Sequence, residues 1–166
     1  IKIDDLDALI FDFDGVLTNN TVYLDQNCLE HVRCSRSDGL AFDVLHKLKK
    51  RACILSTEKD LVISARADKL KIIAIQGVDD KAAALISFAN KKDFSLDNTL
   101  YVGNDVNDYH AMKLCGYTAC PSDSHIKIKE ISDIIVLKAS GGNGVVRELI
   151  EEIFCIDFIE LLYAEK

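Results

Sequence analysis

The run Ala8-Leu9-Ile10-Phe11, broken at once by Asp12-Phe13-Asp14-Gly15, constrains this chain most. Four apolar residues closed off by charge predict a short buried strand, the kind found in a sheet covered by helices. The end of such a strand is where open α/β sheets place their ligands. Two carboxylates one residue apart there, followed by a glycine that lets the backbone turn sharply, could hold a divalent cation and attack a phosphorus atom. Asp-x-Asp-Gly also occurs in calcium loops and ordinary turns, so later segments have to decide.

Further apolar runs recur at Ala52 to Leu55, Ile72 to Ile75 and Thr99 to Val102, with shorter pieces near Tyr117 to Ala119 and Ile134 to Val136. Between them, helical periodicity predicts helices at Gly39 to Lys50, Lys59 to Leu70, Lys81 to Lys92, Asp108 to Cys115 and Val145 to Phe154. Alternation of this kind predicts an α/β fold, a Rossmann-like, doubly wound and mainly parallel sheet with helices on both faces. Thr21 to Leu24 and Cys28 to Arg33 flank Asp25-Gln26-Asn27 and read as a β-hairpin flap projecting beside the Asp12 turn. With no repeat, low-complexity tract or linker, residues 1–166 read as a single domain.

Composition excludes several functions. A net charge of −7 argues against nucleic acid as a partner, because phosphate backbones demand a basic face. No apolar stretch approaches the about 18 residues of a membrane span, and the chain reads as soluble and cytoplasmic. Its six cysteines lack CxxC spacing and predict neither disulfides nor a zinc site. With Ile rather than Met at position 1, the chain reads as a processed protein or as part of a longer one.

Three other strand ends carry chemistry. Ser56 and Thr57 follow the second run; either hydroxyl could bond a phosphoryl oxygen, or cap the helix that follows. Lys81 opens a predicted helix, where a cation opposes the helix dipole by a few tenths of a kcal/mol unless an anion lies nearby. Asp79 or Asp80 could be that anion, and so could a substrate. After Tyr101-Val102-Gly103, oxygen donors at Asn104, Asp105 and Asp108 would complete a hard-cation site, although Asp108 alone could simply cap a helix.

In order, these ends carry Asp-x-Asp, Ser/Thr, Lys and Gly-Asn-Asp-x-x-Asp, a constellation that resembles the haloacid dehalogenase superfamily of aspartate-dependent phosphatases over nearly the whole chain. Residues 15 to 55 leave no room for a cap domain. The chain is therefore similar to the capless subgroup of 3-deoxy-manno-octulosonate 8-phosphate and nonulosonate 9-phosphate phosphatases, and the stretch from Gly141 to Glu148 resembles that subgroup's Gly-Gly-x-Gly-x-x-Arg-Glu signature. The stretches 36–40, 54–59 and 103–108 resemble the phosphatase-like domain at the C-terminal end of many acylneuraminate cytidylyltransferases, the enzymes that activate sialic acids.

The resemblance implies Asp12 as nucleophile, Asp14 as general acid and base, and Ser56 and Lys81 on the phosphoryl oxygens. It implies Mg²⁺ held by Asp12, Asp14, Asn104 and Asp105, and a sugar acid held by Ser35, Arg36, Ser37, Asp38, Gly39 and Arg66. For Arg66, a solvated helix face explains the residue as well. It also implies a homotetramer in which hairpin and tail of neighbouring subunits help close the site, with a fused or neighbouring cytidylyltransferase as a partner.

One departure stands out. Active members usually have Gly-Asp where this chain has Gly103-Asn104, replacing a metal-binding carboxylate by a neutral amide. Relatives with a similar Asn in an assembly domain also tend to lose the first aspartate, which is intact here. The expectation is a Mg²⁺-dependent phosphomonoesterase acting on a nonulosonate 9-phosphate. The alternatives are 3-deoxy-manno-octulosonate 8-phosphate as substrate, and an oligomerisation domain of a cytidylyltransferase. The apolar residues Phe158, Ile159, Leu161 and Leu162 either close the chain's own core or meet a neighbour.

Overall fold

Parallel pairing organises the chain. The computed structural model describes residues 1–164, so the last two residues of the predicted domain lie outside the description. Strands are β1 (Ala8–Phe11), β2 (Tyr23–Leu24), β3 (Glu30–His31), β4 (Arg51–Leu55), β5 (Ile73–Ile75), β6 (Thr99–Val102), β7 (Tyr117–Cys120) and β8 (Ile135–Val136). Helices are α1 (Arg36–Lys47), α2 (Leu61–Leu70), α3 (Lys81–Lys92), α4 (Tyr109–Met112), α5 (Ile126–Lys129), α6 (Val145–Glu148) and α7 (Phe158–Tyr163).

Six strands form one sheet in the order β5-β4-β1-β6-β7-β8, and every pairing is parallel, where the sequence predicted a mainly parallel sheet. Strand periodicity explains the two-sided burial. Leu9 and Phe11 face a core made with Phe42 and Leu45 of α1, Ile63 of α2 and Val145 and Val146 of α6. Ala8 and Ile10 face the other core with Leu85 of α3, Met112 of α4 and Ile128 of α5. From β1 the sheet grows one way through β4 and β5 and the other way through β6, β7 and β8, so the crevice at the carboxyl ends of β1 and β6 is a topological switch point.

Several boundaries move for local reasons. α1 starts three residues earlier than predicted because Ser35 caps it, its Oγ accepting from Ser37 N at 3.2 Å. It ends before Lys49, whose φ is 56°. α2 begins at Leu61 because Asp60 is its cap, accepting from Val62 N at 3.0 Å; neither Ser56 nor Thr57 caps it. The predicted helix 108–115 is only one turn, Tyr109–Met112, and the one from Val145 widens into a π-turn at Leu149–Ile153 after α6.

Between β1 and β4 lie a helical turn at Phe13–Leu17, the hairpin β2–β3, antiparallel and two residues long, and α1; no cap domain is inserted. A bridge between Thr18 and Cys34 closes the hairpin's base beside the Asp12 turn. Phe158 of α7 is buried in the chain's own core, with Leu161 and Leu162 packed against it, while Ile159 is exposed. Among the described residues no helix is long and apolar enough to cross a membrane.

Candidate active site

The carboxyl ends of β1, β4 and β6 meet around a cavity of about 250 Å³ whose wall includes Asp12, Asp14, Ser56, Asn104 and Asp105. Asp12 leaves β1 with its backbone N–H still bonded to Val102 O at 2.9 Å, so the nucleophile candidate is tied to both central strands. Its Oδ1 accepts from Phe13 N at 2.7 Å and from Lys81 Nζ at 2.8 Å.

Lys81 lies beneath the wall, 3 % exposed, and its second partner is Asp108 at 2.7 Å. Asp79 and Asp80 are not its anions: Asp80 caps α3 by accepting from Ala82 N and Ala83 N. Burial alone would lower the Lys81 pKa, but the carboxylates of Asp12 and Asp108 reverse this and hold it above its ordinary value. Burial, followed by the nearby Asp108 carboxylate, pushes the Asp12 carboxyl well above its usual range, with Lys81 opposing both.

Asp108 makes no helix-cap bond. Its Oδ1 accepts from Lys81 and from Tyr101 OH at 2.9 Å, and its Oδ2 from Asn104 N at 2.9 Å and Asp105 N at 3.4 Å. Both oxygens are therefore engaged inside the protein, and the residue orients the Asn104-Asp105 turn and Lys81 instead of reaching the cavity. Tyr101 was not foreseen: as one apolar-run aromatic among several it carries no signal, yet its hydroxyl is the neutral donor that completes the Asp108 shell.

Asn104 is 7 % exposed, and its Oδ1 has no hydrogen-bond partner among the described residues. A Cβ at Gly15 would collide with its Nδ2, so the glycine of Asp-x-Asp-Gly is needed for the asparagine to reach this place. Unpartnered buried oxygens are costly. One in a wall shared with Asp12, Asp14 and Asp105 fits a hard cation, which takes oxygen donors. The described residues contain no group of three His, Cys, Asp or Glu side chains that could hold a metal, so any ligand set here is mixed, with the amide of Asn104 replacing a charge.

Asp14 is half-buried; burial raises its carboxyl pKa, the Thr18 hydroxyl lowers it, and the Glu58 carboxylate raises it. Ser56 Oγ accepts from Glu58 N at 3.1 Å, which shapes the turn and leaves its hydroxyl proton free to donate.

The residues expected to hold a sugar acid lie at the cap and first turn of α1 and on α2. Arg36, Gly39 and Arg66 line a separate groove between α1 and α2, with Lys69. Arg66 is not a freely solvated side chain; its Nη2 donates to Ser35 O at 2.8 Å. Ser35 and Ser37 pair through their hydroxyls at 2.6 Å. Asp38 is buried, and its Oδ1 accepts from Arg147 N at 2.9 Å, pinning α6 to α1.

An open parallel sheet with a paired-aspartate turn, a buried lysine and a Gly-Asn-Asp turn meeting at its switch point is the framework of a hydrolase built on a Rossmann-like fold. The chain belongs to the haloacid dehalogenase-like hydrolases, whose family model matches residues 43–149. Among solved structures it is similar to a putative hydrolase of that family from Streptomyces avermitilis, with 36% identity, a TM-score of 0.87, and 91% of this chain and 86% of that one covered. It is also similar to the 3-deoxy-D-manno-octulosonate 8-phosphate phosphatase of Moraxella catarrhalis, crystallised with magnesium, phosphate and the sugar acid: 27% identity, TM-score 0.86, covering 91% and 87% of the two chains. The Salmonella typhi phosphatase of the same name is 27% identical over 149 residues, 89% of this chain and 79% of that one.

Proposed function

We propose that this chain is a Mg²⁺-dependent phosphomonoesterase acting on the phosphate of a 2-keto-3-deoxy sugar acid through an aspartyl-phosphate intermediate. The observation that carries the reading is an acidic cavity with an unpartnered amide oxygen in its wall. Asp12, Asp14, Glu58 and Asp105 line it, no lysine or arginine does, and the nearby Lys81 is already shared by two carboxylates. A phosphate dianion enters such a place only with a cation. Asp12, the Asp14 carbonyl, Asn104 and Asp105 would hold Mg²⁺, which when bound supplies positive charge for the phosphoryl oxygens.

The chain's own residues divide the remaining work. Asp12 Oδ1 is fixed by Phe13 N and Lys81, while Oδ2 accepts no hydrogen bond from the described residues and is the oxygen that attacks phosphorus. Lys81 favours the ionised form of Asp12 against burial and the Asp108 carboxylate, and orients it. Ser56 donates to a phosphoryl oxygen. Asp14 protonates the departing sugar oxygen and then takes a proton from the attacking water, a role worth roughly 10²–10⁴-fold.

Similarity to phosphatases named for 3-deoxy-D-manno-octulosonate 8-phosphate supports that eight-carbon acid as substrate. The 36–40 and 54–59 stretches support the nine-carbon, sialic-acid-type 9-phosphate as a second candidate. The exposed Val22, Tyr23, Leu24 and Leu29 of the hairpin support a homotetramer in which this flap meets a neighbouring copy. Asn104 also keeps open an assembly role beside a cytidylyltransferase. Phosphate release from both sugar-acid phosphates, with Mg²⁺ and with EDTA, tests the reading. Metal-dependent turnover is expected; silence from folded protein on every substrate would leave only the assembly role.

A further inference from the structure

Among the described residues a single side chain, Thr18, hydrogen-bonds the Asp14 carboxyl, and its hydroxyl has one orientation open to it. Thr18 is fully buried, and its Oγ1 accepts from Gly15 N at 3.3 Å and from Asn20 N at 3.2 Å. A hydroxyl has two acceptor positions and one proton. With both acceptor positions taken by backbone N–H groups, the proton has one partner left, Asp14 Oδ1 at 3.3 Å.

The loop that carries Thr18 is held in turn by the glycine-rich segment from Ser140 to Gly144. Gly142 N donates to Val16 O at 3.0 Å. A Cβ on Gly141 would strike the Gly15 carbonyl, and one on Gly142 would lie 2.6 Å from the Thr18 carbonyl carbon, at a φ of +68°. Asp123 Oδ1 accepts from Gly141 N at 2.9 Å, and Glu148 closes the segment by accepting from Lys138 N at 2.8 Å and Ala139 N at 2.7 Å. The two backbones can approach this closely only without side chains.

We propose that Thr18, clamped by this glycine-rich segment, is a positioning residue that selects which oxygen of Asp14 carries the transferable proton. This rests on the phosphomonoesterase reading and deepens it. Oδ1 receives the Thr18 hydroxyl proton, so the acidic proton sits on Oδ2. As the Asp12 oxygen forms its bond to phosphorus, the bond from phosphorus to the sugar oxygen breaks. Its electron pair leaves with that oxygen, which takes the Oδ2 proton of Asp14. Without Thr18, either oxygen can carry the proton and the carboxyl can rotate.

Leaving-group dependence tests this. A sugar or other alkyl phosphate needs its departing oxygen protonated, whereas p-nitrophenolate leaves without help. Thr18→Val is expected to lower kcat/KM on the sugar-acid phosphate by about 10²-fold, within the usual span of general acid catalysis. It should change kcat/KM on p-nitrophenyl phosphate by less than about threefold, the acid being unneeded there. Thr18→Ser should restore the alkyl ester. If the valine protein does not fold, Thr18→Cys carries the same test, its thiol being a weak donor. Equal losses on both esters, no loss on either, or failure of serine to restore would overturn the proposal. A wild-type protein silent on both esters would instead remove the phosphatase reading, and this inference with it.

Discussion

The floor of the cavity and the hairpin above it are built on opposite principles. On the floor, Asp12, Lys81, Asp108 and Tyr101 are all at most 4 % exposed, and each charged group meets its partner within 3 Å. In the hairpin, Tyr23 and Leu24 are more than 60 % exposed, and the ladder is two residue pairs long. A buried ionic network is rigid because breaking it strands a charge. A short hairpin is marginal unless something covers it. One chain thus combines a tightly coupled ionic floor with a hairpin whose apolar side chains face solvent.

The contrast can be broken from the floor upward. Asp12→Asn should abolish turnover in a phosphate-release assay, and substantial residual activity would remove Asp12 as nucleophile. Lys81→Met leaves two buried carboxylates without their cation. It should cost about 3–5 kcal/mol in denaturant unfolding, and a loss under about 1 kcal/mol would mean that the floor is not a coupled network.

Asp38 belongs to the same rigid half and gives a pH signature. Burial pushes its carboxyl up to about 6 from 3.8, against the pull of the Arg147 and Val146 N–H groups and Arg66. Between those values the folded chain keeps a proton that the unfolded chain has lost. Its contribution to stability therefore falls as pH rises through that window, by roughly 3 kcal/mol in all. Asp38→Asn keeps an acceptor for Arg147 N and should flatten this part of the stability profile; an unchanged slope would place the titration elsewhere.

Smaller effects sharpen the comparison. Asn104→Asp adds a charge to the proposed cation site and should tighten Mg²⁺ roughly tenfold in calorimetry. An identical titration would take Asn104 out of the donor set. Tyr23→Ser with Leu24→Ser should leave monomer stability within about 0.5 kcal/mol, as exposed positions do, while raising KM. A collapse of stability would show that the flap supports the fold.

How much of this could be read in advance follows from where the information lies. β1 and β6 were placed to the residue because both faces are buried, so each is an unbroken apolar run closed by a polar turn. Asp12, Ser56 and Asn104 stood out for the same reason, each closing or nearly closing such a run, whereas Asn20, which also lines the cavity, follows Thr18-Asn19 and gave no such signal. Asp108 looked like a cap or a ligand because its four donors come from β6, α3 and its own turn, which no local pattern reveals. Thr18 and Gly142 are 124 residues apart, and only their contact across the fold gives either a role. Arg66 is far in sequence from Ser35 through Gly39, and only the packing of α2 against α1 brings it beside Arg36 and Gly39 in one groove.

The central claim is that Asp12 becomes phosphorylated during turnover. It is tested most directly by acid-quenching the Asp14→Asn protein with phosphorus-labelled p-nitrophenyl phosphate, whose leaving group needs no acid, and mapping the label by peptide. Label on the peptide carrying Asp12, lost on adding Asp12→Asn, is the predicted result. Label on another peptide, or turnover that survives Asp12→Asn, would contradict it.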